Sequence, residues 1–177
     1  MNKLKGARCY LCGAMDRVKD GGVEWRQRLK VDLEDTGIQW LDPTDKPCRL
    51  GREDSENRDK RRQDKENGRY SLVAKEMREV RRVDMHMVNI CDFVVVNLDV
   101  DIHCCGTYEE LYWAVKQNKL VLIHVEQGKK RTPDWLFGVL HHSLIFSEWS
   151  QLVNYLKQVD SGEIDDESLC FFDWMGD

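Results

Sequence analysis

The sequence predicts a doubly wound α/β domain, a parallel sheet with helices on both faces. Two observations carry this. The segments 92–98 (DFVVVNL) and 120–125 (LVLIHV) are near-continuous apolar runs rich in β-branched residues, as in strands buried on both faces. Each short apolar run is followed by a stretch with helical spacing, and parallel neighbours need such crossovers.

The first strand is Arg8 to Cys12, giving way to Gly13-Ala14-Met15-Asp16. A helix follows with Val23, Trp25, Leu29 and Leu33 on one side, closing near Gly37. The second strand, Ile38 to Leu41, is stopped by Asp42-Pro43. Segment 51–68 (GREDSENRDKRRQDKENG) contains no apolar residue and reads as an exposed insertion, either disordered or a solvated helix. From Ser71 to about Cys91, Leu72, Val73, Met77, Val80, Val83, Met87 and Val88 form the apolar side of a long helix. The third strand, Asp92 to Leu98, ends in Asp99 and a polar loop carrying Asp101, Cys104, Cys105 and Gly106. Thr107 is the expected N-cap of a helix reaching Asn118. Leu120 to Val125 is the fourth strand, Pro133 opens a short helix, Leu144 to Phe146 is the fifth strand, and Trp149 to Val159 the last helix. Five strands in this alternation fit the order 2-1-3-4-5, which sets the loop after Cys12 beside the loop after Leu98 at the switch point where such sheets bind ligands.

The chain has 177 residues and a net charge of −5, unevenly distributed. Residues 160–177 hold seven acidic and no basic residues, which leaves 27 basic against 25 acidic in residues 1–159. The acidic tail also carries Leu169, Phe171, Phe172, Trp174 and Met175, so it is expected to dock on this subunit or a neighbour. In segment 51–68 six basic residues face six acidic ones, so attraction to a nucleic-acid backbone largely cancels and no nucleic-acid partner is expected. No segment approaches the ~20 apolar residues of a membrane span, and the N-terminus lacks a signal-peptide apolar core, so a cytoplasmic protein with no membrane partner is expected. The odd cysteine count, seven, reads as reduced thiols. Cys9 and Cys12 have CxxC spacing, but strand alternation puts them on opposite faces and no second CxxC completes a metal site. His103 beside Cys104 suggests a nucleophile pair, yet adjacent loop residues usually point apart.

YLCGAMDR after the first strand, GVEWRQRL on the first helix, WLDPT ending the second strand, RRVDMHMVNICDFVVVNLD through the third and GTYEELYWAV on the next helix keep a characteristic order and spacing. In particular, Asp84 lies eight residues before the strand-opening Asp92, and a Glu-Leu-x-x-Ala begins eighteen residues after it. In these features the chain resembles the nucleoside 2-deoxyribosyltransferase family, which also includes 2′-deoxynucleoside 5′-phosphate N-hydrolases and a CMP N-glycosidase. The resemblance covers most of residues 1–159, excluding the charged insertion, and implies a single flavodoxin-like domain, homodimeric or larger, that acts on a nucleoside or nucleotide without metal or organic cofactor.

Residue by residue, the resemblance matches Glu110 to the family nucleophile, Asp84 to an active-site Asp and Tyr10 to an aromatic at the end of the first strand. Breaking an N-glycosidic bond leaves an oxocarbenium-like sugar that a carboxylate can trap, while a proton donor assists the departing base. Asp84 or an aspartate after the third strand would protonate the base or orient Glu110. The family's further Asp in that loop aligns with Cys104, with Asp99 and Asp101 nearby as candidates for the sugar hydroxyls. Gly13, Met15, Asp16, Arg17 and Gly106 are the other expected binding positions: Met15 for the base, Arg17 with Lys19 for a 5′-phosphate or for solvent. Consecutive helical residues are turned by about 100°, so Glu110, on the edge that carries Leu111 and Ala114, is expected to face the site and Glu109 to turn away. The alternative is a nucleotide-binding sensor of the same fold without turnover.

Overall fold

The structure is a computed structural model that describes residues 2–46 and 50–164. Among them, strands β1 (Arg8–Gly13), β2 (Gln39–Leu41), β3 (Phe93–Leu98), β4 (Leu120–Val125) and β5 (Ile145–Phe146) form one sheet of order 2-1-3-4-5. Every neighbouring pair is parallel, with Cys12 opposite Val96 and Gly13 opposite Asn97 at the ligand end of the two central strands. Helices α1 (Val23–Asp32), α2 (Ser55–Glu66), α3 (Tyr70–Ile90), α4 (Cys105–Lys116), α5 (Asp134–Phe137) and α6 (Trp149–Ser161) connect and cover them.

Strand alternation divides the core in two. Tyr10, Cys12, Val94, Val96, Val121 and Ile123 pack with Met87 and Val88 of α3 and Leu111 and Ala114 of α4. Cys9, Leu11, Phe93, Val95 and Leu122 pack on the other face with Leu29 of α1 and Leu152 and Leu156 of α6. Cys9 and Cys12 thus lie in separate cores.

Arg26 of α1, fully buried, fixes the ligand end of β1. Its guanidinium donates to Leu11 O at 3.3 and 3.2 Å, Gly13 O at 3.2 Å and Gly22 O at 2.7 Å, tying the end of β1 to the turn into α1. Gly22 has φ 76° and lies so close to Ala14 O that a Cβ there would sit 2.6 Å away, so only glycine fits the turn into α1.

Two expectations change. Helix α4 begins at Cys105 rather than after Thr107: Cys104 is the N-cap without a side-chain cap bond, and Thr107 is buried within the first turn. At its other end the helix stops at Lys116, because Asn118 turns left-handed (φ 55°) and Lys119 N–H closes back on Ala114 O at 3.1 Å. Segment 51–68 is largely helix α2, N-capped by the Asp54 carboxylate accepting from Asn57 N at 2.9 Å. Most of it is exposed, but Arg61 and Asp64 are buried. Arg61 pairs with Glu76 of α3 at 2.9 Å and Asp16 at 3.4 Å, and Asp64 pairs with Arg69 at 2.7 Å. Charge pairing docks a helix that has no apolar face. The tail hydrophobics Leu169 to Met175 lie outside the described residues, and no helix among those described is long and apolar enough to cross a membrane.

Candidate active site

A cleft of about 440 Å³ opens at the ligand end of β1 and β3, between the loop after β1, the N-terminal turn of α4 and the side of α3. Tyr10, Gly13, Met15, Asp16, Arg17, Asp84, Gly106 and Glu110 all line it. Asp99 and Asp101 do not. Asp99 is held by Gln127 Nε2 at 2.6 Å and the Asp101 N–H at 3.0 Å, and Asp101 pairs with Arg131 at 3.3 Å, turning both away from the cleft. Lys19 is also absent from its walls, whereas Arg17 is exposed at the edge.

Glu110 reaches the floor from the first turns of α4. Tyr10 and Cys12, two residues apart on β1, point to this same face, and the Cys12 thiol donates to Glu110 Oε2 at 3.1 Å. The Tyr10 hydroxyl is buried and near enough to favour the ionised carboxylate, but in a geometry that gives it no hydrogen bond of its own. Burial pushes the Glu110 carboxyl up to about 7; Cys12 and Tyr10 pull against this, and the charge of Glu53 adds to it. The same burial, with Glu110 beside it, pushes the Cys12 thiol well up, so Cys12 is a hydrogen-bond donor there and not a thiolate.

Asp84, on α3 and almost fully buried, faces Glu110 across the cleft together with Glu53. Between the two acids sits the buried Lys46. Its ammonium donates to Gly51 O at 2.6 Å and Glu53 Oε2 at 3.0 Å, and lies 2.7 Å from Asp84 Oδ1. One cation serves two carboxyls, so both cannot be charged without cost, and the Asp84 carboxyl is raised to about 8 by burial first and Glu53 next, against the pull of Lys46. Glu109 lies at the rim in a two-pronged ion pair with Arg81 of α3 that lowers its pKa. Of the two adjacent glutamates, Glu110 is therefore the inner one. Met15, Met77, Val80, Met85 and Pro43 make the apolar wall, and His103, Cys104 and Cys105 the opposite edge.

Lys46, Glu53, Cys12 and Arg26 are the residues the sequence reading passed over. The period-2 alternation that puts Tyr10 on this face puts Cys12 there as well, so Cys12 had a signal. Lys46 and Glu53 had none, being loop residues flanking a charged segment. Among the described residues no group of three or more His, Cys, Asp or Glu side chains is arranged to hold a metal ion.

No protein-family model matches the chain, and no curated protein does. Solved structures do. A 2-deoxyribosyltransferase from Leishmania mexicana superposes with a TM-score of 0.52 at 17% identity, over 85% of this chain and 97% of that one. A 2-deoxyribosyltransferase from Bacillus psychrosaccharolyticus gives 0.53 at 18%, over 84% and 92%. The CMP N-glycosidase BcmB from Clostridium botulinum gives 0.46 at 14%, over 85% and 98%. The first two likenesses establish a shared fold.

Proposed function

We propose that the chain is an enzyme that cleaves or transfers the N-glycosidic bond of a nucleoside or nucleoside 5′-monophosphate, with Glu110 as nucleophile. The observation that carries this reading is the inward Glu110 carboxyl, held by the Cys12 thiol on the cleft floor and faced by a second acid, Asp84, whose pKa burial raises. Bond cleavage with a basic leaving group calls for two acids in one cleft, one to act as carboxylate and one to deliver a proton. The Leishmania and Bacillus proteins whose fold it shares act as 2-deoxyribosyltransferases, which supports the same bond as the target.

In this reading the ionised Glu110 carboxylate bonds to C1′ as the C1′–N bond breaks, and the electron pair leaves with the base. Asp84 delivers its proton to a base nitrogen. Water or a second base then attacks C1′ of the glycosyl-Glu110 ester, gives up its proton to the Asp84 carboxylate and frees the Glu110 carboxylate, the two acceptors distinguishing hydrolase from transferase. Arg17 at the cleft edge gives a 5′-phosphate a cation to pair with, so monophosphates should compete better than free nucleosides and lose that advantage in Arg17→Ala. Chromatography of deoxynucleosides, ribonucleosides and their monophosphates, with and without an acceptor base, tests the reading: release of free base or appearance of an exchanged nucleoside supports it, and a panel left unchanged at high enzyme concentration overturns it.

A further inference from the structure

We propose that Glu53 and Asp84 make the inner end of the cleft select nucleobases that carry an exocyclic amino group beside an unprotonated ring nitrogen, as cytosine and adenine do, over bases with an oxo group in its place. This deepens the N-glycosidic reading of the same site and rests on it.

The Lys46 ammonium has three protons, and Gly51 O, Glu53 Oε2 and Asp84 Oδ1 surround it. Two of these are hydrogen bonds, and the contact with Asp84 is an ion pair. Lys46 does not line the cleft, whereas Glu53 and Asp84 both do, so each acid presents its second oxygen to a ligand. The ammonium lies against both Glu53 and Asp84, and one positive charge cannot balance two negative ones away from water. One of the inner acids therefore keeps a proton. A carboxylic acid beside a carboxylate offers one donor and one acceptor.

The complement of that pair is a ring nitrogen with a free lone pair next to an N–H₂ group. An oxo base in the same pose sets a carbonyl oxygen against the Glu53 carboxylate and a ring N–H against the Asp84 proton. Both contacts are then repulsive. The walls suit a flat ring: Met15, Met77, Met85 and Pro43 are apolar and conform to either face. An independent sign that this cleft is built for a polar ligand is the Tyr10 hydroxyl, which lines it fully buried and without a hydrogen bond. The pairing also coincides with catalysis, since the proton offered to the ring nitrogen is the one the leaving base must take up.

The test compares isosteric pairs. For wild type, kcat/KM is measured on deoxycytidine against deoxyuridine and deoxyadenosine against deoxyinosine, each also as the 5′-monophosphate. The amino member should be favoured about 10- to 100-fold, the discrimination expected of a good two-point base contact. Glu53→Gln, whose carboxamide can rotate to donate to an oxo group, should collapse the preference. Calorimetric titration of the same compounds into Glu110→Gln should give the same order of affinity without turnover. Equal or reversed preference in wild type, or an undiminished preference in Glu53→Gln, overturns the inference while leaving the N-glycosidic reading intact. Failure of every compound to bind or react overturns that reading itself.

Discussion

Two clefts open at the ligand end of the sheet, one on each side of β1 and β3, and both touch Ala14. The second, of about 330 Å³, is also lined by acids, among them Asp20, Glu24, Asp99 and Glu126, together with Trp25 and Trp149. There, however, the acids have partners of their own. Asn97 donates to Glu126 at 2.8 Å and bonds His124 Nδ1 at 2.8 Å, Glu24 pairs with Arg28 at 3.0 Å, and Asp20 accepts from Gly22 N at 3.0 Å and Glu24 N at 2.8 Å. The aromatic faces are occupied as well: Trp25 stacks on Trp149 at 5.3 Å, Trp149 on His124 at 4.3 Å, and Arg26 lies over Trp25 at 4.5 Å. In the first cleft two carboxyls, Glu53 and Asp84, share one ammonium, and a tyrosine hydroxyl goes without a hydrogen bond. Acid content does not distinguish the clefts; unmet pairing does, because buried polar groups are left short of partners chiefly where a ligand completes them.

The sharpest way to break this contrast is to neutralise one acid in each cleft. Glu110→Gln should lower kcat by about 10³-fold or more with an unchanged circular dichroism spectrum. Glu126→Gln should leave turnover near wild type, so comparable losses from both would erase the distinction.

Stability gives the next largest effect. Lys46→Met leaves the buried Glu53 and Asp84 carboxyls without their cation and should cost about 3–5 kcal/mol in denaturant unfolding near pH 8. Asn97→Ala in the second cleft removes one hydrogen-bond bridge and should cost about 1–3 kcal/mol with little change in kcat.

The pH dependence sharpens the comparison further. The nucleophile must be ionised, so kcat/KM should rise with pH through the Glu110 value of about 7; the acid must be protonated, so it should fall above the Asp84 value of about 8. Cys12→Ala removes a donor that favours the ionised Glu110 and should move the rising limb to higher pH, with Cys12→Ser restoring it. An unmoved limb would make Cys12 a packing residue only.

The smallest effect is on folding. Glu110 holds its proton more tightly folded than unfolded, so its contribution to stability is fully present below its ordinary carboxylate range and is lost as pH rises through about 7. Glu110→Gln should therefore gain melting temperature relative to wild type between pH 5 and pH 8, and a relative loss over that range would contradict the raised pKa.

How much of this was legible in the sequence follows the same division between apolar pattern and charge pairing. The central strands were readable because Val94, Val95, Val96, Val121 and Leu122 are buried on both faces of a parallel sheet, and the boundaries of β4 were read without error. Glu110 was readable by its helical position relative to Leu111 and Ala114. The start of α4 was not, since Thr107 is a better cap by composition than Cys104, which caps without a side-chain bond. Segment 51–68 could not be read as a docked helix, because Arg61 and Asp64 are buried through ion pairs that leave no hydrophobic period. Lys46 and Glu53 meet Asp84 only through the fold, and no spacing in the sequence announces that triad.

The central claim is that Glu110, and not its neighbour Glu109 in the rim ion pair with Arg81, forms the bond to the sugar. A slowly turning 2-fluoro-2-deoxynucleoside, incubated with the enzyme and followed by peptide mass spectrometry, tests it most directly. A single glycosyl adduct on Glu110, absent in Glu110→Gln and retained in Glu109→Gln, is the predicted result. An adduct on Glu109, or base release from that nucleoside with no carboxylate labelled, would contradict the account.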